Sequence, residues 1–155
     1  MDMTEKNLTP LLAQNKKAFV DYEVQEKLEA GIVLSGPEVK STKLGHANLK
    51  GSFVEITNGE AFTRNVHISP YKNAIQKDYH PDQKRKLLLN RSQIVKLQKE
   101  LDTKGVTVIP LDLHVSHNYI KMTIGICTAK KKWDRRNELK KKAQNLEIRR
   151  TLKRY

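Results

Sequence analysis

The residues best suited to chemistry lie in one stretch near the C-terminus, AKKKWDRRNELKKK, residues 129–142. Eight of its fourteen residues are Lys or Arg, and the single tryptophan of the chain, Trp133, lies among them. Lysine and arginine pair with phosphates, and an indole ring can stack on any nucleobase. The combination predicts contact with a nucleic acid. The alternative is that the indole packs over lysine stems on the folded domain.

Two shorter stretches also set basic side chains beside apolar ones. They are NKKAF at 15–19 and RKLLLNR at 85–91. Such a mixture suits a surface that pairs with phosphates while packing against riboses or bases. Each stretch, taken alone, could equally be the boundary of a helix or a strand.

Other reactive residue types give weaker signals. Asp78, His80 and Asp82 lie close together in DYHPD, but an exposed polar turn around Pro81 explains this composition as well as a metal site does. Cys127 is the only cysteine, which excludes a disulfide framework and predicts a packed or edge thiol. The sequence contains no GxSxG, Walker or GxGxxG motif. It therefore predicts neither catalysis nor a bound metal or cofactor.

The elements that must position these residues are mainly strands. Apolar residues alternate in four stretches, at 17–24, 52–68, 106–115 and 119–127, and Asn58-Gly59 predicts a tight hairpin turn within the second. Pro110 predicts an edge or a bulge in the third, where His114 falls on the polar phase and is expected to face solvent. A second turn is predicted at His117-Asn118.

Two helices interrupt these strands. The first opens with the capping-box pair Ser35 and Glu38 and ends at Gly45. The second carries Ile94, Leu97 and Leu101 at helical spacing and ends before Gly105. Five or six strands with two short helices predict a mainly β fold, a small barrel that is closed or partly open.

Charge divides the chain into two parts. The formal net charge is +13, and residues 128–155 contain twelve Lys or Arg and three acids, a net of +9, which leaves 13 − 9 = +4 for the rest. Such a balance predicts a polyanionic partner, with solubility alone as the alternative. We expect the tail to be disordered when free and helical against a partner of opposite charge; an ordinary solvated helix is the alternative.

The N-terminus has no apolar stretch of signal-peptide length, and no window reaches the roughly 20 apolar residues of a membrane span. We therefore expect a reduced, cytoplasmic protein that acts without a membrane.

Six stretches together resemble one family. They are NKKAFVDYEV, LEAGIVLSGPEVKS, HANLKGSFVEI, GEAFTRNVHISPY, RKLLLNRSQIVKL and KKKWDRR. Their order and spacing are similar to those of SmpB, the bacterial SsrA-binding protein family, over roughly residues 15–142. The resemblance implies an OB-fold-like barrel that binds the tRNA-like domain of transfer-messenger RNA. It also implies delivery of that RNA to stalled ribosomes for trans-translation, with the tail acting in the decoding centre and the empty mRNA channel of the small subunit.

The implied organisation is a flexible segment at 1–14, an RNA-binding barrel at 15–127 and a ribosome-binding tail at 128–155. No small-molecule substrate is expected. Residues predicted to bind RNA are Asn15, Lys16, Lys17, Glu29, Lys40, Ser41, Lys43, Asn48, Arg85, Lys86 and Leu88. Residues predicted to act at the decoding centre are Lys130, Lys131, Lys132, Trp133, Asp134, Arg135 and Arg136.

Three positions depart from the family pattern. Ala129 occupies a position where the family usually has glycine, which makes the expected hinge stiffer. Gln83 replaces an arginine, so one expected phosphate contact is lost, and the preceding YHPD differs from the usual His-acid-Pro-acid. Trp133 replaces a His or Tyr but keeps a flat ring.

Two other functions remain open. A metal-dependent nuclease built around Asp78, His80 and Asp82 would cleave RNA. A ribosomal structural protein would use the basic tail only as an anchor and would accompany all ribosomes.

Overall fold

A computed structural model describes residues 11–72 and 78–130, together with Ala143. Within this part of the chain there are nine strands and three helices. The strands are β1 (Leu11–Gln14), β2 (Tyr22–Ile32), β3 (Ala47–Asn48), β4 (Phe53–Thr57), β5 (Glu60–Arg64), β6 (His67–Ile68), β7 (Arg85–Leu88), β8 (Val106–Ser116) and β9 (Tyr119–Ala129). The helices are α1 (Lys16–Asp21), α2 (Gly36–Lys43) and α3 (Arg91–Leu101).

Seven strands form one antiparallel sheet in the order β1-β8-β9-β2-β7-β5-β4, and β3 pairs with β6 separately. The sheet curls, because β4 at one end of this order packs against β8, the second strand from the other end. Side chains on its inner face form the core together with Leu97 of α3 and Leu49, which follows β3. The strand residues Val54, Leu87, Leu113, Met122 and Ile124 are almost completely buried. The predicted mainly β fold with short helices is confirmed.

Both hairpin turns predicted from the sequence have residues with positive φ angles. Asn58 and Gly59 have φ angles of 53° and 74° and join β4 to β5. His117 and Asn118, with φ angles of 51° and 68°, join β8 to β9. Both predicted turns are confirmed, and the second fixes the register that places Ile120, Met122, Ile124 and Ile126 inward.

Pro110 marks an irregularity in β8, where the pairing with β9 shifts between Pro110 and Asp112. β1 pairs with β8 only from Asp112 to His114, so Pro110 has a strand partner on β9 alone, and the predicted irregularity is a bulge just beyond the end of β1. Leu111 is the residue without a partner on β9 and is buried beside Ile109 and Cys127, whereas Leu113 belongs to the main core.

Both predicted helices are present. Ser35 and Glu38 form a complete capping box at the start of α2, and Gly45 follows its end with a φ of 83°. Asn90 and Gln93 form a second capping box, at the start of α3. Leu97 is fully buried in the barrel core, and Leu101 packs against it.

The prediction of a strand over 17–24 is wrong for its first half. Residues 16–21 form α1, and β2 begins only at Tyr22. Asn15 caps this helix, because its Oδ1 accepts a hydrogen bond from the Ala18 N–H at 3.2 Å. The hydrogen bond of the helix cap favours a helix here more strongly than a short alternation of apolar residues favours a strand.

More strands occur than the five or six predicted. Four of them (β1, β3, β6 and β7) have at most four residues, too few to show an alternation in the sequence. β1 pairs with β8, so Leu11–Gln14, which lie inside the segment expected to be flexible, are part of the sheet. No helix within residues 11–72 and 78–130 is long and apolar enough to cross a membrane.

Candidate nucleic-acid interface

One face of the barrel presents apolar side chains to solvent where β7, β2 and β9 meet. Gly31 on β2 pairs with Leu88 on β7 and with Lys121 on β9. Leu88 is 56% exposed and Tyr119, at the start of β9, is 71% exposed. A shallow groove between them is lined also by Leu34. We call this surface the Leu88 face.

Because Gly31 has no side chain, Leu88 can lie close to the backbone of β2. A Cβ at this position would lie 3.2 Å from the Leu88 Cβ and 3.3 Å from its Cδ1. The missing side chain therefore leaves room for the leucine to lie over the backbone of β2. An exposed leucine held in this way offers an apolar surface of the kind that packs against a ribose or a base.

Glu29 lies on the same side of β2, two residues before Gly31. Its side chain is 49% exposed. One carboxylate oxygen, Oε1, lies 3.6 Å from the Lys121 Nζ, and the other, Oε2, lies 3.0 Å from the His114 Nε2. A carboxylate has about four acceptor positions, so Glu29 keeps capacity for a further donor from outside the protein.

His114 does not face solvent, and that prediction is wrong. The residue is 7% exposed, and its Nδ1 lies 2.7 Å from the Asp112 Oδ1. Neighbouring strands cover the polar phase of β8, since Glu29 reaches over from β2 and Leu11 of β1 lies opposite. The sequence contains one signal for this contact, because Asp112 and His114 lie two residues apart on one face of β8.

Asn15 holds the start of α1 inside the protein. Its Nδ2 donates to the Leu49 carbonyl at 3.2 Å and to the Pro110 carbonyl at 3.0 Å, in addition to the cap on Ala18. The amide is buried, and both of its N–H groups are engaged. Lys16 and Lys17, which follow it, are exposed. Asn15 therefore fixes the helix that presents the two lysines.

Four of the predicted RNA-binding residues lie on α2 and β3. Lys40, Lys43 and Asn48 are exposed, and the Lys40 Nζ lies 5.6 Å from the centre of the Tyr71 ring. Ser41 is fully buried, and its hydroxyl donates to the Ser69 carbonyl at 2.6 Å. The serine ties α2 to the chain after β6.

Arg85 is placed in the interior, contrary to its prediction as an RNA contact. Its side chain is 1% exposed, and it forms an ion pair at 2.7 Å with Glu38, which is 3% exposed. The remaining N–H groups donate to the Tyr79 hydroxyl and to the carbonyls of Val66, Gln83 and Pro81. With its donors engaged inside the protein, Arg85 has none to offer a phosphate.

Gln83 contributes to the same network, because its Nε2 donates to the Glu38 Oε2 at 3.2 Å. Gln83 thus binds an internal carboxylate. Burial tends to raise the pKa of Glu38, but the Ser35 N–H and the charge of Arg85 outweigh it and hold that pKa below 4.5. Burial and the neighbouring Glu38 raise the pKa of Tyr79 above 10.0.

Lys86 is exposed, and its Nζ lies 3.2 Å from Glu60 across the sheet. Along β7, Arg85 and Leu87 point inward while Lys86 and Leu88 point outward. The stretch RKLLL therefore divides its side chains between the core and the surface.

The start of the tail is attached to α1. The Lys130 N–H donates to the Asp21 carbonyl at 3.0 Å, and its Nζ donates to the Phe19 carbonyl at 2.9 Å. Of the predicted decoding-centre residues, Lys131, Lys132, Trp133, Asp134, Arg135 and Arg136 lie outside the described residues. The predicted free and bound conformations of the tail lie outside them too.

The alternative metal site is not assembled. Asp82 pairs with His67 at 3.0 Å, and within residues 11–72 and 78–130 no three His, Cys, Asp or Glu side chains could hold a metal ion. Cys127 is packed in the interior as expected, and burial raises the pKa of its thiol to about 11. A thiol of this kind is a poor nucleophile at neutral pH.

A family model described as SmpB protein matches residues 12–154. The match extends over nearly all of the 155 residues, from β1 to the end of the basic tail. The chain belongs to the SmpB family. The resemblance drawn from six stretches of sequence is therefore confirmed.

Relatives in this family match along almost their whole length. The chain is 46% identical over 144 residues to the SsrA-binding protein of Lactiplantibacillus plantarum, covering 93% of this chain and 92% of the relative. It is 40% identical over 151 residues to the SsrA-binding protein of Staphylococcus aureus, covering 97% and 98%.

A solved SmpB-family structure shares the fold. It is described as "tmRNA-SmpB: a journey to the center of the bacterial ribosome". The TM-score is 0.67 at 37% identity, and the match covers 79% of this chain and 86% of that one. This chain therefore shares its fold with that structure.

Proposed function

We propose that this protein binds the tRNA-like domain of transfer-messenger RNA and delivers it to stalled ribosomes for trans-translation. The family match over residues 12–154 carries the proposal, because relatives named SsrA-binding protein match over more than nine-tenths of their length, 92% in the Lactiplantibacillus plantarum protein. The protein acts by binding, as an adaptor in the bacterial cytoplasm, and the RNA and the small ribosomal subunit are its partners.

The Leu88 face supplies the chemistry for the RNA. Leu88 and Tyr119 are exposed apolar or aromatic groups, suited to packing against riboses and bases. Lys121 lies at the same place and can pair with a phosphate. Glu29 accepts a hydrogen bond from a base amino group or a ribose hydroxyl. The face can thus recognise a folded RNA by shape together with a few polar contacts.

Exposed lysines around the barrel make a second, less sequence-specific contribution to RNA binding. Lys16, Lys17, Lys40, Lys43 and Lys86 are exposed and can each pair with phosphate. The exposed Asn48 completes this group of contacts. Asn15, Ser41 and Arg85 have a different role: they hold α1, α2 and β7 in place and so position their neighbours.

The tail supplies the ribosomal part of the function. Its net charge of +9 suits a channel walled by RNA phosphates, and Trp133 is assigned to stacking on a base at the decoding centre. Lys131, Lys132, Arg135 and Arg136 pair with the flanking phosphates, and Asp134 is assigned to the family's Asp-Lys-Arg position. Lys130, predicted to act with them, fixes the start of the tail on α1.

Sequencing the RNA that co-purifies with the protein tests the proposal. The full-length chain and a Leu88→Asn variant are purified in parallel. We expect one abundant small RNA that ends in a tRNA-like fold with the parent chain, and much less of it with the variant. Ribosomal RNA in equal amounts from both proteins would point to a structural anchor instead.

A truncated chain separates the two parts of the function. β9 extends to Ala129, and Lys130 is bonded to α1, so the cut belongs after Lys130 and not after Cys127. We expect the truncated protein to bind the tRNA-like RNA within about tenfold of the full chain, a difference of about 1.4 kcal/mol, and to fail in tagging on stalled ribosomes. A larger loss of RNA affinity would place the RNA site in the tail.

A further inference from the structure

A cleft lies at the seam of the barrel, on elements that contribute little to the Leu88 face. Thr107 and Ile109 of β8 lie beyond the end of β1 and have a strand partner on β9 alone. β4 packs against β8, and α1 and residues 50–52 border the space between these two strands. The cleft has a volume of about 430 Å³, within the range of about 300–1,000 Å³ that is typical of small-ligand sites.

The lining of the cleft is partly aliphatic and partly aromatic. Ala18 of α1 and Ile109 of β8 are buried within it. Tyr22 packs against the same small cluster, and Phe53, the first residue of β4, is 39% exposed. Two aromatic rings beside an aliphatic surface suit a flat heterocyclic group, because any nucleobase has faces that stack or pack on such a lining.

Polar groups of the cleft have capacity for a ligand. Lys17 and Lys50 are exposed and line it from α1 and from the turn before β4. Within residues 11–72 and 78–130, neither ammonium group has a hydrogen bond or an ion pair. The hydroxyls of Tyr22 and Thr107 have no hydrogen-bond partner in this part of the chain either.

The lysines of the cleft differ in this respect from those near Leu88. Lys86 lies 3.2 Å from Glu60, and Lys121 lies 3.6 Å from Glu29. A phosphate that binds either of these must compete with a carboxylate, whereas the two lysines of the cleft have no such competitor. Asp21 is the single acid among the described residues that line the cleft, so the two lysines leave it with a net positive charge.

We propose that this cleft binds one unpaired nucleotide of a folded RNA. The base packs against the rings of Phe53 and Tyr22. The flanking phosphates pair with Lys17 and Lys50, and the Thr107 hydroxyl is available to a polar edge of the base or to the ribose. The inference rests on the proposed function and adds to it a second RNA contact, apart from the Leu88 face. The nucleotide belongs either to the tRNA-like RNA or to ribosomal RNA, and the experiment distinguishes these two sources.

Free nucleotides test the cleft without an RNA. AMP and UMP are titrated into the full-length protein at millimolar concentration, with ribose 5-phosphate as the probe that lacks a base. The NMR signal of the Ile109 methyl reports on the cleft, and that of Ile124, buried in the main core, is the reference. We expect both nucleotides to shift the Ile109 signal through the ring current of the base, while ribose 5-phosphate leaves it in place and Ile124 does not respond.

Dissociation constants are then measured for a tRNA-like RNA and, separately, for the small ribosomal subunit. The proteins are the full-length parent and its Phe53→Leu, Lys50→Met and Phe62→Leu variants, since leucine keeps an apolar side chain without a ring. Phe62→Leu is the matched control. Phe62 lies on the adjacent strand β5 and also has a lysine beside it, but the Lys84 Nζ lies 3.9 Å from the centre of its ring and covers the face that a base would need.

Phe53→Leu should weaken binding to one of the two partners about tenfold, the order of loss expected for one stacked base. Lys50→Met should reduce the salt slope for the same partner by about one unit, because one phosphate contact is lost. Phe62→Leu should bind as the parent does. Weaker binding of the tRNA-like RNA assigns the nucleotide to that RNA, and weaker binding of the subunit assigns it to ribosomal RNA.

An Ile109 signal that responds to no nucleotide, or that responds equally to ribose 5-phosphate, would overturn the inference. Normal affinity of Phe53→Leu and Lys50→Met for both partners would overturn it too, and either result would leave the proposed function intact. A parent protein that binds no tRNA-like RNA would refute the proposed function, while the nucleotide titration would still decide whether the cleft takes a base. If Phe53→Leu does not fold, Lys50→Met and the titration of the parent decide.

Discussion

Replacing Arg85 by methionine removes the cation from a nearly dry interior and leaves Glu38 without its ion-pair partner. The two side chains are 1% and 3% exposed, so solvent cannot take the place of the lost contacts. Breaking a buried pair in this way costs about 3–5 kcal/mol, since the remaining charge stays buried. The carbonyls of Val66 and Pro81 also lose donors.

A loss of this size is a large share of the roughly 5–15 kcal/mol that stabilises a domain. With a urea dependence of about 2 kcal/mol per molar, the unfolding midpoint should fall by about 2 M. Lys86→Met is the matched control on the same strand. Lys86 forms an exposed pair with Glu60, and removing that pair should cost at most about 1 kcal/mol.

The double variant Glu38→Gln with Arg85→Met tests the reason for the loss. Because the glutamine carries no charge, the double variant should be more stable than Arg85→Met alone. The measurements are urea unfolding curves of the three variants and the parent, and the salt dependence of RNA binding for any variant that folds. An Arg85→Met protein that is as stable as the parent, yet loses RNA affinity and one unit of salt slope, would show that Arg85 contacts a phosphate.

The remaining predictions concern acid stability, the RNA face, the core and the tail. Since Glu38 has a lowered pKa in the fold, its contribution to stability is present above about pH 4.5 and is lost as pH falls through the lowered value; acid unfolding of Glu38→Gln should be flatter there. Lys16→Ala should reduce the salt slope of RNA binding by about one unit, whereas Glu29→Ala should weaken binding with the slope unchanged; tighter binding of Glu29→Ala at low salt would mean that the acid only repels RNA. Gly125→Ala should cost about 1–3 kcal/mol in unfolding experiments, because its Cβ would lie 2.7 Å from a buried leucine methyl. Trp133→Ala should abolish most tagging while the melting temperature stays the same, and Trp133→Tyr should restore it; a lower melting temperature with normal tagging would mean that the indole belongs to the fold.

Local signals in the sequence predicted local structure well. The capping box of Ser35 and Glu38 and the turn at Asn58-Gly59 each involve residues at most three apart, so the sequence contains the whole interaction. The resemblance to SmpB also identified Glu29 and Leu88, both of which lie on the exposed face.

The errors concern partners that are distant in sequence. Glu29 and His114 are 85 residues apart, and Glu38 and Arg85 are 47 apart. No local pattern shows that a polar side chain on a strand will be covered by a carboxylate from another strand. The helix at 16–21 combines both cases: the cap of Asn15 on Ala18 is local, but the amide of Asn15 is held in place by carbonyls 34 and 95 residues away.

The attachment of Lys130 to α1 gives the tail a fixed point of departure. Its two bonds reach the carbonyls of Asp21 and Phe19, in the helix that also presents Lys16 and Lys17. A tethered segment that starts from a rigid point samples a smaller volume, and its effective concentration at a site within reach rises accordingly. The fixed starting point therefore sets where the tail begins relative to an RNA bound at α1. Ala129 has fewer accessible backbone conformations than glycine, so it would help to keep the starting point of the tail fixed relative to α1.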